Sequence, residues 1–324
     1  MALGEAHYQA GESAQATEAF RTALELASSH GADADAARLA LARSLLSQAR
    51  YAEAIALAQQ VRETGQPENV VDAELLWGTL ISVEGSDLAG AADHLKKAEL
   101  LLLQEPGRAD PACLAQIKFE QGSVAAQQGN LPLAVAFYRE TLAIADEAGA
   151  EIALQWQILS RNNLAYHLHL MGDSTAIQYA REGQSLAQEK GVLGLQPYLL
   201  STLGEIALAQ NDLDMAEKHF AEGLALAERL SIPERIAGLT ANLGLVARQR
   251  GETALAIHRL STALARADAL GICQLATQIR LWLVPLLPPT EAHTHLAQAR
   301  TIAQSSGRRL LLDQVIHLEQ QIPS

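Results

Sequence analysis

The sequence predicts an all-α protein, an α-solenoid of about seven helical hairpins with a degenerate eighth and a closing helix. Three observations predict it. Alanine supplies 60 of the 324 residues and β-branched runs are few, which favours helix over strand. A small residue is followed about twelve positions later by alanine, seven times over. Helix-breaking residues fall between and after the two members of each pair.

The first small residues are Gly4, Ala42, Gly78, Gly122, Ala165, Gly204 and Gly244, and their partners are Ala16, Ala54, Ala91, Ala134, Ala176, Ala216 and Ala256. The repeats are spaced 38, 36, 44, 43, 39 and 40 residues apart. Where two antiparallel helices cross closely, neither has room for more than a methyl group, so each contributes one small side chain. Four residues beyond the alanine, and so on its face, stand Phe20, Leu95, Tyr138, Phe220 and Leu260.

The turns within hairpins are expected at Gly11, Gly85, Gly129, Gly172, Asn211 and Gly251, residues that accept the left-handed conformation ending a helix. The second helices are expected to end at Gly31, Gly65, Gly107, Gly149, Gly191 and Gly271, with Pro233 marking the remaining break. The repeats then run 1–31, 32–65, 66–107, 108–149, 150–191, 192–231 and 232–271, followed by a degenerate repeat over 272–306 and a capping helix over 307–324. Arg280 stands in the eighth hairpin where a small residue belongs, so looser packing is expected there. Gly4 is the eighth position of its repeat, so the first helix would lack its opening turn; this reads as a fragment of a longer protein.

The order of small residue, turn, alanine and large apolar residue resembles the tetratricopeptide repeat, most clearly in LSTLGEIALAQNDLDMAEKHFAEGLALAERL (200–230) and TANLGLVARQRGETALAIHRLSTALARADALG (240–271). The resemblance covers residues 1 to about 271 and implies a right-handed superhelix. The period departs from the usual ~34 residues, so helices or loops must lengthen. Repeat endings such as TLAIADEAG and ALARADALG look like the C-terminal arrays of bacterial signal-responsive STAND regulators of the maltose-regulon activator type, although the chain has no GxxxxGK[ST] motif and no helix-turn-helix after the array.

Lys and Arg number 24 against 37 Asp and Glu, a net charge of −13, which disfavours direct nucleic-acid binding and adhesion to anionic membranes. The N-terminus MALGEAHYQAGE is no signal peptide, and no stretch approaches ~18 uninterrupted apolar residues. Cys113 and Cys273 form no motif and read as buried small hydrophobes, which suits a cytoplasmic location. No catalytic motif is present. The pairs His167/His169 and His293/His295 point to different faces of a helix and do not favour a shared metal ion, so neither enzyme nor cofactor is expected.

A binding surface remains. First helices of stacked hairpins line the concave side. By the positions that line this groove in the repeat family, the resemblance implies Gln116, Phe119 and Ser123, then Asn162, Tyr166 and His169, then Tyr198, Ser201 and Glu205, then Leu245 and Arg248. Asn163 and Asn242, with Thr202 between them, occupy one register, where asparagine either reads a ligand backbone or bonds a neighbouring helix. The family's lysine position, which holds a free C-terminal carboxylate, is taken by Phe119, Asn162, Ser201 and Ala241, so that specificity is disfavoured. Ten arginines between Arg229 and Arg309 face four acids; they either dock an acidic or phosphate-bearing partner or lie solvated on second helices.

The expected function is a non-catalytic protein- or peptide-binding scaffold, the sensing or interaction part of a bacterial signalling or transcription regulator. The alternative is a domain sensing a small-molecule effector; an enzyme using the groove is the remoter one. Self-association through the solenoid ends is a further expectation.

Overall fold

The computed structural model describes residues 1–9, 13–29, 34–46, 48, 50–65, 67–84, 87–104 and 110–321. Every regular element among them is helical, and the chain divides into two compact units, Met1–Asp110 and Pro111–Ser324.

In the first unit α1 (Ala2–Gln9) packs on α2 (Ser13–Ser29), α3 (Asp35–Leu46) on α4 (Tyr51–Thr64), and α5 (Pro67–Glu84) on α6 (Leu88–Leu103). Phe20, Leu45, Val61 and Leu80 anchor its core. The fully buried Glu74 carboxylate is held by His94 Nδ1 and Lys97 Nζ, each at 2.6 Å. Trp77 stacks on His94, with ring centroids 4.8 Å apart, and carries the Arg62 guanidinium 4.0 Å above its ring. A buried carboxylate tolerates its desolvation only with such partners.

The second unit contains α7 (Pro111–Gln127), α8 (Leu131–Ala148), α9 (Ala150–Leu170), α10 (Ala176–Glu189), α11 (Gln196–Ala209) and α12 (Leu213–Arg229). It continues with α13 (Pro233–Gln249), α14 (Thr253–Ala269), α15 (Cys273–Leu283), α16 (Pro289–Ser305) and α17 (Arg309–Glu319). Asn130 caps α8 through Leu133 N–H at 3.2 Å, and Asp212 caps α12 through Met215 N–H at 3.1 Å. Left-handed residues stand at Gly129, Gly149, Gly172, Gly191, Asn211, Gly251 and Gly271 as expected, and also at Ser231 and Gly307.

Two expectations about turns change. Gly65 ends α4 in extended backbone, φ −74° and ψ 164°, so its use is not left-handed freedom. At the break assigned to Pro233 the left-handed turn is made by Ser231, and Pro233 opens α13 at its first position. Gly11, Gly31, Gly85 and Gly107 lie outside the described residues.

The predicted small-residue crossings are present, but the geometry differs in one respect. Ala16, Ala54, Ala91, Ala134, Ala216 and Ala256 are 0 % exposed. The space left by each glycine is filled chiefly by the large residue four positions beyond the alanine. A Cβ on Gly204 would lie 2.4 Å from the Phe220 ring, one on Gly122 2.7 Å from Tyr138, and one on Gly244 2.9 Å from Leu260. Alanine lets the helices approach, and the ring or leucine one turn on locks the contact. In the eighth hairpin Arg280 takes the small residue's place and is tied down, with Nη2 on Asp268 at 2.9 Å and Nε on Gln298 at 2.9 Å.

Within the second unit α7, α9, α11, α13, α15 and α17 each touch the next in that series, whereas no two second helices make comparable contact. Elements that approach each other most closely lie on the inner side of a bend, so the first helices form the inner face. No helix among the described residues is long and apolar enough to cross a membrane.

Candidate functional site

The inner face of the second unit carries a column of polar side chains two residues before each small residue: Glu120 before Gly122, Asn163 before Ala165, Thr202 before Gly204 and Asn242 before Gly244. Because each hairpin repeats the last, one register on successive first helices lands on one line across the face. The column continues at Gln278, whose Nε2 donates to Gln314 Oε1 of α17 at 3.1 Å.

Several of these groups bond one another. Thr202 Oγ1 donates to Asn162 Oδ1 at 2.9 Å, and Asn162 Nδ2 donates to Asn163 Oδ1 at 3.2 Å. Asn242 Nδ2 donates to Ser201 Oγ at 3.0 Å and to Glu205 Oε1 at 3.1 Å, and Ser201 Oγ donates to the same carboxylate oxygen at 3.0 Å. Asn162, Thr202 and Asn242 are buried, so they staple α9 to α11 and α11 to α13. Phe119 is half-buried, its ring 5.4 Å from Tyr138 and 5.3 Å from Trp156, and Leu245 belongs to the hydrophobic core. Ser123, His169 and Arg248 are half-buried on their first helices. Burial holds the His169 imidazole and the Arg248 guanidinium below their ordinary ranges.

Other groups keep unused capacity. Glu120 has no hydrogen-bond or ion-pair partner among the described residues, and desolvation pushes its carboxyl up to about 7. The half-buried Tyr166 ring meets His167 edge-on at 5.1 Å, its hydroxyl has no hydrogen-bond partner among the described residues, and burial raises it above the ordinary phenol range. Glu205 is raised by burial against the opposing pull of Ser201, Asn242 and Arg235, and its Oε2 has no hydrogen-bond partner among the described residues. Tyr198 donates through its hydroxyl to Glu234 Oε1 at 3.0 Å under the Arg235 guanidinium, 4.3 Å from the ring, and burial pushes it up to about 12. Arg235 Nε has no hydrogen-bond partner among the described residues.

The sequence reading left Glu120, Tyr138, His167, Glu234 and Arg235 out of the groove, taking Tyr138 as packing, His167 as one of a histidine pair and Arg235 as part of the basic run. Tyr138 belongs to a second helix, yet its hydroxyl reaches past Gly122 to the Asn163 side chain, beside Glu120. His167 lies under the Tyr138 ring, 5.2 Å between centroids, and its Nδ1 is 2.7 Å from the Asn163 carbonyl oxygen. Glu120 had a signal, since it shares the register of Asn163. The predicted basic run is split between roles. Arg250 pairs with Asp214 and Glu217 at 2.8 and 2.5 Å, Arg280 with Asp268, and Arg300 with Glu319, while Arg235 and Arg248 belong to first helix α13. A separate cavity of about 410 Å³, lined by Arg161, Arg181, Glu182 and Ser185, lies where α9 meets α10; Arg161 is ion-paired there to Asp146 and Glu182.

Helical hairpins stacked through small-residue crossings and a shared inner face fit one known architecture, and residues 1–69 match a tetratricopeptide-repeat family model. The chain has the tetratricopeptide-repeat fold. No curated protein matches the sequence. The repeat solenoid is similar to the Rap conjugation gene regulator of plasmid pLS20 in complex with the Phr* peptide, with 14% identity over 94% of each chain and a TM-score of 0.63. It is also similar to a Rap protein complexed with competence and sporulation factor, with 16% identity, 87% of this chain and 81% of that one covered and a TM-score of 0.62. A STAND protein with a tetratricopeptide repeat sensor from Pyrococcus horikoshii aligns at 12% identity over 84% of this chain and 42% of that one, with a TM-score of 0.50. At these identities the likeness is one of fold.

Proposed function

We propose that the inner face of residues 111–324 is a recognition groove for an extended peptide, and that the chain is a non-catalytic interaction module of a bacterial cytoplasmic regulator. One observation carries the reading. Glu120, Tyr166, Glu205 and Arg235, on four successive first helices, keep polar capacity in a half-buried surface already stiffened by the Asn162–Thr202 and Asn242–Ser201 staples. A peptide presents donors and acceptors at every residue, and a rigid row of amides, phenols and carboxylates satisfies them at little entropic cost. Asn163 stands at the centre of this row, half-buried with its Oδ1 accepting from Asn162 Nδ2, and reads a backbone amide in this proposal. The pLS20 Rap regulator, solved with the Phr* peptide, supports this reading by analogy of fold.

Glu120, which no cation pairs among the described residues, and Glu205, which Arg235 reaches only electrostatically, favour a ligand carrying positive charge. A peptide array containing Lys- and Arg-bearing sequences, followed by calorimetric titration of the selected peptides, tests the reading. Asn163→Ala and Tyr166→Ala should each weaken binding about 10-fold, the effect of losing ~1.4 kcal/mol. Unchanged affinity in both variants places the site elsewhere. For a cationic peptide, affinity should fall as pH drops from 8 to 6, because Glu120 becomes neutral on protonation. Selective binding of metabolites instead of peptides would favour the effector-sensing alternative.

A further inference from the structure

Arg308 occupies a seam that brings together distant parts of the second unit. It precedes α17, is 2 % exposed, and its Nη2 donates to Gln127 Oε1 at the end of α7, 3.2 Å away and 181 positions earlier. Beside this bond, a Cβ on Gly129 in the α7–α8 turn would lie 3.3 Å from Leu310 Cγ. Cys273, the first residue of α15, is near enough to act electrostatically on the guanidinium. The seam is therefore formed by the end of α7 and the starts of α15 and α17.

The guanidinium is undersatisfied. Nε and Nη1 are buried with no hydrogen-bond partner, and no carboxylate pairs with Arg308 among the described residues. Burial holds its pKa below the usual arginine range. An arginine remains protonated in such a place, so the charge stays and its desolvation is offset only by the neutral Gln127 amide. Arg250, Arg280 and Arg300 show the contrast, each having a carboxylate. Helices α15 and α17 both open without a side-chain cap; apart from the Cys273 N–H, which donates to the Gly271 carbonyl at 3.0 Å, the N–H groups of their first turns and the positive ends of their dipoles remain available.

We propose that this seam is an anion site in which Arg308 and the starts of α15 and α17 bind a small oxyanion, inorganic phosphate or a carboxylate. The anion supplies the acceptors that Nε and Nη1 lack and the negative charge that Gln127 cannot. Because the seam joins residues far apart in the chain, its occupancy ties α17 to the α7–α8 turn and stabilises the whole second unit.

The test uses the full chain, melted at pH 7 in chloride, phosphate or acetate at matched ionic strength, with phosphate contact read separately by ³¹P NMR titration. Phosphate, acetate or both should raise the melting temperature by about 2–4 °C at 10 mM. A response to both marks a general oxyanion site, and a response to one alone names the group. Arg308→Met should abolish the shift. Gln127→Glu guards against a variant that fails to fold: it supplies an internal carboxylate, so it should melt higher than the parent in chloride and respond to neither anion. The proposal is overturned if neither anion shifts the parent protein relative to chloride. It is equally overturned if Arg308→Met or Gln127→Glu shifts as much as the parent, since that marks a general salt effect.

Discussion

Glycine at a helix crossing is a stringent position because the neighbouring ring already occupies the space of its missing side chain. The Phe220 ring would stand 2.4 Å from a Cβ on Gly204, closer than any real contact, and both groups sit in mid-helix where the backbone cannot easily withdraw. Gly204→Ala should therefore destabilise the second unit by about 1–3 kcal/mol, despite alanine's better helix propensity, as measured by urea unfolding. Glu120 is the titrating counterpart. Its folded pKa of about 7 lies above the ordinary carboxyl value, so the stability it contributes is present at acid pH and is lost as pH rises from about 4.5 through 7. Glu120→Gln should therefore melt close to the parent at pH 5 and above it at pH 8. A difference that stays constant across that range would show that Glu120 is not desolvated. His167 acts in the opposite sense: burial lowers its pKa, so its cost appears as pH falls below the ordinary histidine value, and it is common to both proteins.

At the scale of the element, helix ends decide how one hairpin passes to the next. Seven of the ten turns of the second unit place glycine in left-handed backbone, two use Asn211 at φ 61° and Ser231 at φ 53°, and the α15–α16 connection runs through the short Val284–Leu286 turn without a left-handed residue. Asparagine tolerates that region through local hydrogen bonding, whereas serine has less to offset the crowding of its Cβ. Ser231→Gly should accordingly raise stability by about 0.5–1 kcal/mol in urea unfolding, leaving α12 and α13 intact by circular dichroism. The helices themselves were legible in sequence because a crossing is local: its two small residues lie about a dozen positions apart on one hairpin. Less legible was what fills the gap. Gly122 and Ala134 mark the crossing, but Tyr138 fills the space, and its hydroxyl then passes through to Asn163 on the inner face.

For the whole molecule, the division at Asp110 and Pro111 was not foreseen from a repeat that runs across it. The polar column also begins there. In the first unit the register that holds Glu120 and Asn163 farther on holds Ala40 and Leu76, both buried. Clusters built around Phe220, Tyr138 and Leu296 supply residues 111–324 with cores of their own. A protein consisting of those residues alone should therefore fold with high helicity and keep the peptide affinity of the full chain. Loss of either, read by circular dichroism and calorimetry, would show that the first unit completes the site.

Sequence alone determined the number and order of the hairpins and the register of the inner column, because each depends on contacts within one hairpin or on its repetition. Tertiary structure decided which inner-face groups spend their hydrogen bonds on neighbours, as Thr202 and Asn242 do, and which retain them, as Glu120 and Tyr166 do. It also decided that Arg308 meets Gln127. Such contacts arise from small rotations between hairpins summed over many repeats, and no spacing along the chain encodes that sum.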